Sequence, residues 1–71
     1  MTSTEAKNLL YLFLLSELQT KTSGLASLNA IKPVNTEMQL NIVIHGEIIL
    51  GEINSIEKQM KNLEEYKPIK N

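Results

Sequence analysis

The absence of cysteine from a chain of 71 residues sets the tightest limit on how this protein can fold. Without disulfides or a thiolate-bound metal, a chain this short depends on one small apolar core. Such a core supplies only about 3–5 kcal/mol of net stability. The apolar fraction of 42% is ordinary for a folded domain, so we expect residues 1–71 to form a single small domain that gains further stability as a homo-oligomer or from another protein.

The charged residues argue against nucleic acid as a partner. Seven Lys and eight Glu, with no Arg and no Asp, give a formal net charge of −1. Nucleic-acid binders usually carry a basic stripe that is rich in Arg. We therefore do not expect nucleic acid to be the partner.

The first element that the sequence predicts is a helix over residues 4–20. Apolar residues recur there at helical spacing on two stripes. One stripe comprises Ala6, Leu9, Leu10, Phe13 and Leu14, and the other comprises Leu12, Leu15 and Leu18. A helix that is apolar on two sides has to be covered on both. We predict that the second stripe contacts another subunit; the alternative is that this helix is the central core element of a monomer.

The segment 21–36 is ambiguous. Gly24, Pro33 and Asn35 are typical of turns and loops. Leu25 and Leu28 are three apart and fit one or two helical turns. We expect a loop or a short helix here, followed by an extended lead-in.

Alternation of apolar and polar residues predicts a β-hairpin with strands at about 37–44 and 47–53. His45 and Gly46 interrupt the alternation, and they are predicted to form a two-residue turn. In that register one face carries Met38, Leu40, Ile42, Ile49 and Ile53, which we assign to the core. The other face carries Val43, Ile48 and Leu50, which have no evident cover and are predicted to lie in a partner or oligomer interface.

A C-terminal helix is predicted from Asn54 to about residue 66. Asn54 and Glu57 form a capping-box pattern. Apolar residues at heptad spacing, Ile53, Ile56, Met60 and Leu63, give a narrow seam, and residues 67–71 are expected to be a frayed tail. The predicted fold class is therefore α+β: helix, loop or short helix, β-hairpin and helix, completed by oligomerisation.

No arrangement of residues points to catalysis, a cofactor or a metal ion. His45 is the only histidine, and no Ser or Asp adjacent in sequence would make it a general base. Gly46 and Gly51 have the spacing of a phosphate loop, but Glu52-Ile53 stands where Lys and Ser or Thr should follow. We predict a protein that is not an enzyme and has no catalytic, cofactor-binding or metal-binding residues.

The apolar run Leu9–Leu15 bears on localisation. It is much shorter than the roughly 20 residues that a membrane-spanning helix needs. It also lacks the flanks of a signal peptide. We expect a cytoplasmic protein without a membrane span.

Residues 40–55 resemble the strand–Gly–strand–Gly segment of the U-type gas-vesicle accessory proteins. The shared order is helix, hairpin, helix. The resemblance implies a cytoplasmic assembly or accessory role without catalysis.

The same region is similar to the first Sm motif in the spacing of Gly46, Gly51, Glu57 and Met60. That resemblance implies a ring-forming RNA-binding protein. Glu57 and Lys61 stand where the motif places an Asp and an Asn, and the second Sm motif has no counterpart.

The function predicted from these observations is a small non-enzymatic protein–protein interaction module that forms homo-oligomers. An adaptor, an inhibitor or an assembly accessory protein would each fit. An Sm-like RNA-binding protein is one alternative. A phage or mobile-element inhibitor of a host protein is another, which the small size permits.

Overall fold

The computed structural model describes residues 2–66, which form two antiparallel α-helices joined by a short loop. Helix α1 spans Ser3–Asn29 and helix α2 spans Thr36–Glu65, with 27 and 30 residues respectively. The pair forms a rod of 60 × 14 × 12 Å. Because the rod is long and narrow, most side chains of both helices lie on its surface rather than between the helices.

Each helix begins at a capping side chain. Thr2 Oγ1 accepts a hydrogen bond from Glu5 N at 3.1 Å, and Asn35 Oδ1 accepts one from Met38 N at 2.8 Å. These caps satisfy amide groups that the first turn leaves free, and each stabilises its helix by about 1 kcal/mol. Glu5 and Glu37 add negative charge at the positive ends of the helix dipoles.

Helix α1 ends in a turn that is closed by backbone hydrogen bonds. Ala30 N donates to Ala26 O at 3.1 Å, and Ile31 N donates to Leu28 O at 3.2 Å. Pro33 follows shortly afterwards, and it has no amide proton with which to continue a helix. The loop 30–35 then runs to the Asn35 cap.

The two helices meet along a seam of residues spaced alternately four and three apart. On α1 the seam comprises Lys7, Tyr11, Leu14, Leu18, Lys21, Leu25 and Leu28; on α2 it comprises Ile42, Gly46, Ile49, Ile53, Ile56, Met60 and Leu63. All of these residues are buried or half-buried. This heptad repeat is the pattern of helices that pack as a left-handed coiled coil.

Three contacts establish how the helices are paired. Lys7 Nζ donates to the backbone oxygen of Tyr66 at 3.0 Å, near the chain termini. Lys21 and Glu52 form an ion pair near the middle of the rod. A Cβ built on Gly46 would lie 3.9 Å from the side chain of Leu25 and also from that of Leu28. In this pairing α1 ends level with about residue 44, so the first two turns of α2 extend past it.

The predicted α+β fold is wrong. No strand occurs among residues 2–66, and the segments 37–44 and 47–53 both lie within α2. The predicted turn residues His45 and Gly46 are in the middle of that helix, and Gly46 does not adopt a positive φ.

Residues 37–53 form a helix because the apolar residues that face α1 also recur at helical spacing. Ile42, Gly46, Ile49 and Ile53 follow one another at intervals of four and three, which aligns them on the face toward α1. An alternating run of eight residues is short enough to fit either period. A two-stranded hairpin of this length would be marginal in water, whereas the helix continues the seam over seven positions.

Other boundaries also differ from the sequence prediction. The predicted helices 4–20 and 54–66 lie within longer ones, because Leu25 and Leu28 extend the seam of α1 and Asn54 is an exposed interior residue of α2 rather than a cap. Of the predicted hairpin core, Leu40 is 57% exposed. The predicted frayed tail 67–71 lies outside the described residues.

Candidate interaction surface

The packing between the helices is thin. Only Leu14, Gly46, Ile53 and Ile56 are buried among the described residues, and none of the side chains is completely enclosed. The described part of the chain contains no buried side-chain nitrogen or oxygen without a hydrogen-bond partner. Because so little is buried, most of the apolar side chains of both helices remain in contact with solvent.

Exposed apolar side chains gather in two places. The first, which we name the α1 patch, lies in the N-terminal half of α1 and comprises Leu9, Leu10, Leu12 and Phe13. The second, the α2 patch, lies in the N-terminal half of α2 and comprises Leu40, Val43, Ile44, Ile48 and Leu50. Since the helices are antiparallel, the α1 patch lies toward the chain termini and the α2 patch toward the loop. Ile31 and Val34, also exposed, belong to that loop.

Four of the six interface residues predicted from the sequence lie in these patches. Leu12 belongs to the α1 patch, and Val43, Ile48 and Leu50 belong to the α2 patch. Leu15 and Leu18 are only half-buried, and Leu18 lies in the seam. The structure thus places the predicted residues on two separate surfaces instead of one, and their contact with a partner stays a prediction.

The sequence reasoning missed two members of the α2 patch, Leu40 and Ile44. Together with Ile48 they are spaced four apart, so in a helix they form one row on the side away from α1. Read as strands, the same residues fell on different faces. Spacing of four between large aliphatic residues was the signal that could have identified this row.

His45 is exposed on α2 and makes only a local contact. Its Nδ1 lies 2.8 Å from Asn41 O, one helical turn earlier. Among residues 2–66 no group of three His, Cys, Asp or Glu side chains is placed to hold a metal ion. The prediction that the protein is not an enzyme stays a prediction.

The ion pair between Lys21 and Glu52 is the main electrostatic feature of the hairpin. Lys21 Nζ lies 2.5 Å from Glu52 Oε2, and both side chains are partly exposed. The hydrogen bond to Glu52, and then the negative charge of that carboxylate, raise the pKa of Lys21 above its ordinary value of 10.5, with Glu17 adding a smaller effect. The pair links the two helices across the edge of the seam.

Neither α1 nor α2, within the described range, is long and apolar enough to cross a membrane. Charged residues lie on both sides of the apolar run Leu9–Leu15 of α1, among them Lys7 and Glu17.

A comparison of the chain with protein-family models, characterised proteins and solved structures finds no match.

Proposed function

We propose that this protein is a non-catalytic interaction module that self-associates into a helical bundle, and that it works as an adaptor or assembly accessory through protein–protein contact. The single observation that carries the proposal is the pair of apolar patches, which lie outside the seam. Large apolar patches on a small folded protein usually mark sites where another protein binds.

The exposure of the α2 patch supports association as well. Its five aliphatic side chains are each between 44% and 57% exposed, and removing such apolar surface from water stabilises a contact with another protein.

A second copy is the occupant that we favour. The three apolar side chains that are buried among residues 2–66 give a two-helix hairpin little stability of its own. Small domains without disulfides or metal commonly gain stability by association. Helices that expose aliphatic rows bury them against other helices in bundles. Every copy carries the same aliphatic row of the α2 patch, so two copies can bury their rows against each other.

The two family resemblances do not add to this proposal. The gas-vesicle resemblance covers residues 40–55, and the Sm resemblance rests on the spacing of Gly46, Gly51, Glu57 and Met60. All of these residues lie in helix α2.

Sedimentation equilibrium of the full chain tests the proposal over a range of micromolar concentrations. We expect the average mass to rise from 8.0 kDa toward a multiple of that value, because association buries the patches. In parallel, the midpoint of thermal unfolding followed by circular dichroism should increase with concentration, as linkage requires when folding and association are coupled.

A folded chain whose mass stays at that of one copy across this range, with an unfolding midpoint independent of concentration, would refute self-association. Both measurements are needed, since a chain that is unfolded when dilute would also show the mass of one copy.

A further inference from the structure

We propose that the α2 patch binds the α2 patch of a second copy in an antiparallel arrangement centred near Ile44. This inference rests on the proposed function and names the surface and orientation through which self-association occurs. The row formed by Leu40, Ile44 and Ile48 is the centre of the contact.

The row is suited to contact with its own copy. Residues four apart on a helix form a ridge, and a ridge of aliphatic side chains is buried where it meets the apolar surface of another helix. Leu40 and Ile48 lie at equal distances on either side of Ile44. A two-fold axis at Ile44 therefore brings Leu40 of one copy level with Ile48 of the other, which makes the surface self-complementary.

The row is open to a partner because it lies on the side of α2 away from α1. At the loop end of the rod, α1 stops at Asn29, level with about residue 44, so the first two turns of α2 have only the loop 30–35 beside them. Ile44 is 44% exposed and Ile48 is 54% exposed. The apolar loop residues Ile31 and Val34 extend the exposed surface at this end of the rod.

The charges near the row favour the antiparallel orientation. In a parallel pair each residue lies level with its own counterpart, so Glu37 and Glu47 would each face a second Glu of the same number. In the antiparallel pair centred on Ile44, Glu47 lies level with Asn41 and Glu37 lies level with Gly51. Like charges placed opposite one another weaken helix association, and the antiparallel orientation avoids both pairs.

Engineered cysteines test this arrangement, and the chain contains no cysteine of its own. Leu40→Cys and Ile48→Cys chains, one of them ¹⁵N-labelled, are mixed and oxidised, and the disulfide-linked products are identified by mass. A disulfide requires Cα atoms within about 7 Å. We expect the mixed pair to link in preference to either variant alone, and Ile44→Cys to link with itself.

The possible outcomes separate this inference from the proposed function. Self-linking of Leu40→Cys in preference to the mixed pair would show a parallel contact and overturn the inference. Leu12→Cys is oxidised in parallel as a probe of the α1 patch. If the chain associates in sedimentation and only Leu12→Cys links, the interface lies on the α1 patch, which would overturn the inference and leave self-association intact. A monomer with no link at any position would overturn both.

A pair of lysine variants provides a second test without oxidation. Ile44→Lys should weaken association about tenfold or more, because a central apolar side chain is replaced by a charge in the contact. Leu12→Lys, the matched substitution in the α1 patch, should weaken association less than Ile44→Lys does, because the contact is centred on the α2 patch. Lys is also a better helix former than Ile, so helicity of the dilute chain should persist in both. Equal loss of association in the two variants, or loss in Leu12→Lys alone, would contradict the inference.

Discussion

The two halves of α2 belong to one continuous helix but have opposite distributions of apolar residues. The C-terminal half, residues 51–65, buries Ile53 and Ile56 against α1 and presents polar and charged residues outward. The N-terminal half, residues 36–50, has only Gly46 buried, and its large aliphatic side chains form the exposed α2 patch. The C-terminal half thus buries its apolar side chains against α1, whereas the N-terminal half leaves most of its large aliphatic side chains exposed.

The two halves differ although apolar residues recur at helical spacing in both. Helical spacing alone therefore does not show how many neighbouring helices a helix has. Both halves of α2 continue the same seam toward α1. The difference lies on the opposite side, where the first half carries Leu40, Ile44 and Ile48 and the second half carries Gly51, Ser55 and Lys58. A helix with apolar residues on two sides is expected to be buried on two sides.

Matched isoleucine substitutions in the two halves should have the largest effect. Ile56→Ala removes a side chain that is 5% exposed, and we expect it to lower the free energy of unfolding by about 2–5 kcal/mol through lost burial and a residual cavity. In dilute solution, Ile44→Ala should lower the free energy of unfolding by much less than Ile56→Ala does, because Ile44 is 44% exposed. Urea unfolding followed by circular dichroism at two protein concentrations measures both.

For Ile44→Ala, any destabilisation should grow with protein concentration, because it acts on association. Equal and concentration-independent losses in the two variants would contradict the contrast between the halves of α2.

Substitutions at Gly46 should have the next largest effect, since Gly46 is the only buried residue of the N-terminal half of α2. Gly46→Leu adds a bulky side chain where a Cβ would already lie 3.9 Å from Leu25 and Leu28, and overpacking of this kind costs about 1–3 kcal/mol. Gly46→Ala is the control: its Cβ meets only ordinary van der Waals contacts, so the gain of up to about 1 kcal/mol in helix propensity should dominate. The midpoints of thermal unfolding of the two variants test this contrast. A Gly46→Ala variant that is less stable than the original chain would mean that the helices lie closer together at Gly46 than the 3.9 Å contacts indicate.

The pH dependence of the Lys21–Glu52 pair should be the smallest effect. The pair raises the pKa of Lys21 above 10.5, so its contribution to stability is fully present below that value and is lost as the pH rises through the higher pKa of the folded state. In Glu52→Gln the pKa of Lys21 should fall back toward 10.5, as measured by NMR titration of the Lys21 side chain. Lys58→Gln is the control substitution, and a Lys21 pKa that does not respond to Glu52→Gln would contradict the ion pair.

The candidate surface was predictable in part, and the reason is visible in particular residues. Val43, Ile48 and Leu50 were identified from the sequence as apolar residues without cover, and all three are exposed. That identification did not depend on the type of element, because too few residues were available to cover them in either a strand or a helix. Leu40 was assigned to a core and is exposed, because its position was deduced from a strand register that does not exist.

The sequence by itself determined that residues near 4–20 and 54–65 are helical, and that a chain of 71 residues without cysteine has more apolar side chains than one small core can enclose. Only the tertiary structure decided that residues 37–53 are helical. Their local pattern fits a strand as well as a helix, and the choice depends on whether the seam face around Gly46 meets a partner. Helix α1 provides that partner in Leu25 and Leu28, residues distant in sequence, and packing between distant segments outweighs local β propensity, which spans only about 1 kcal/mol.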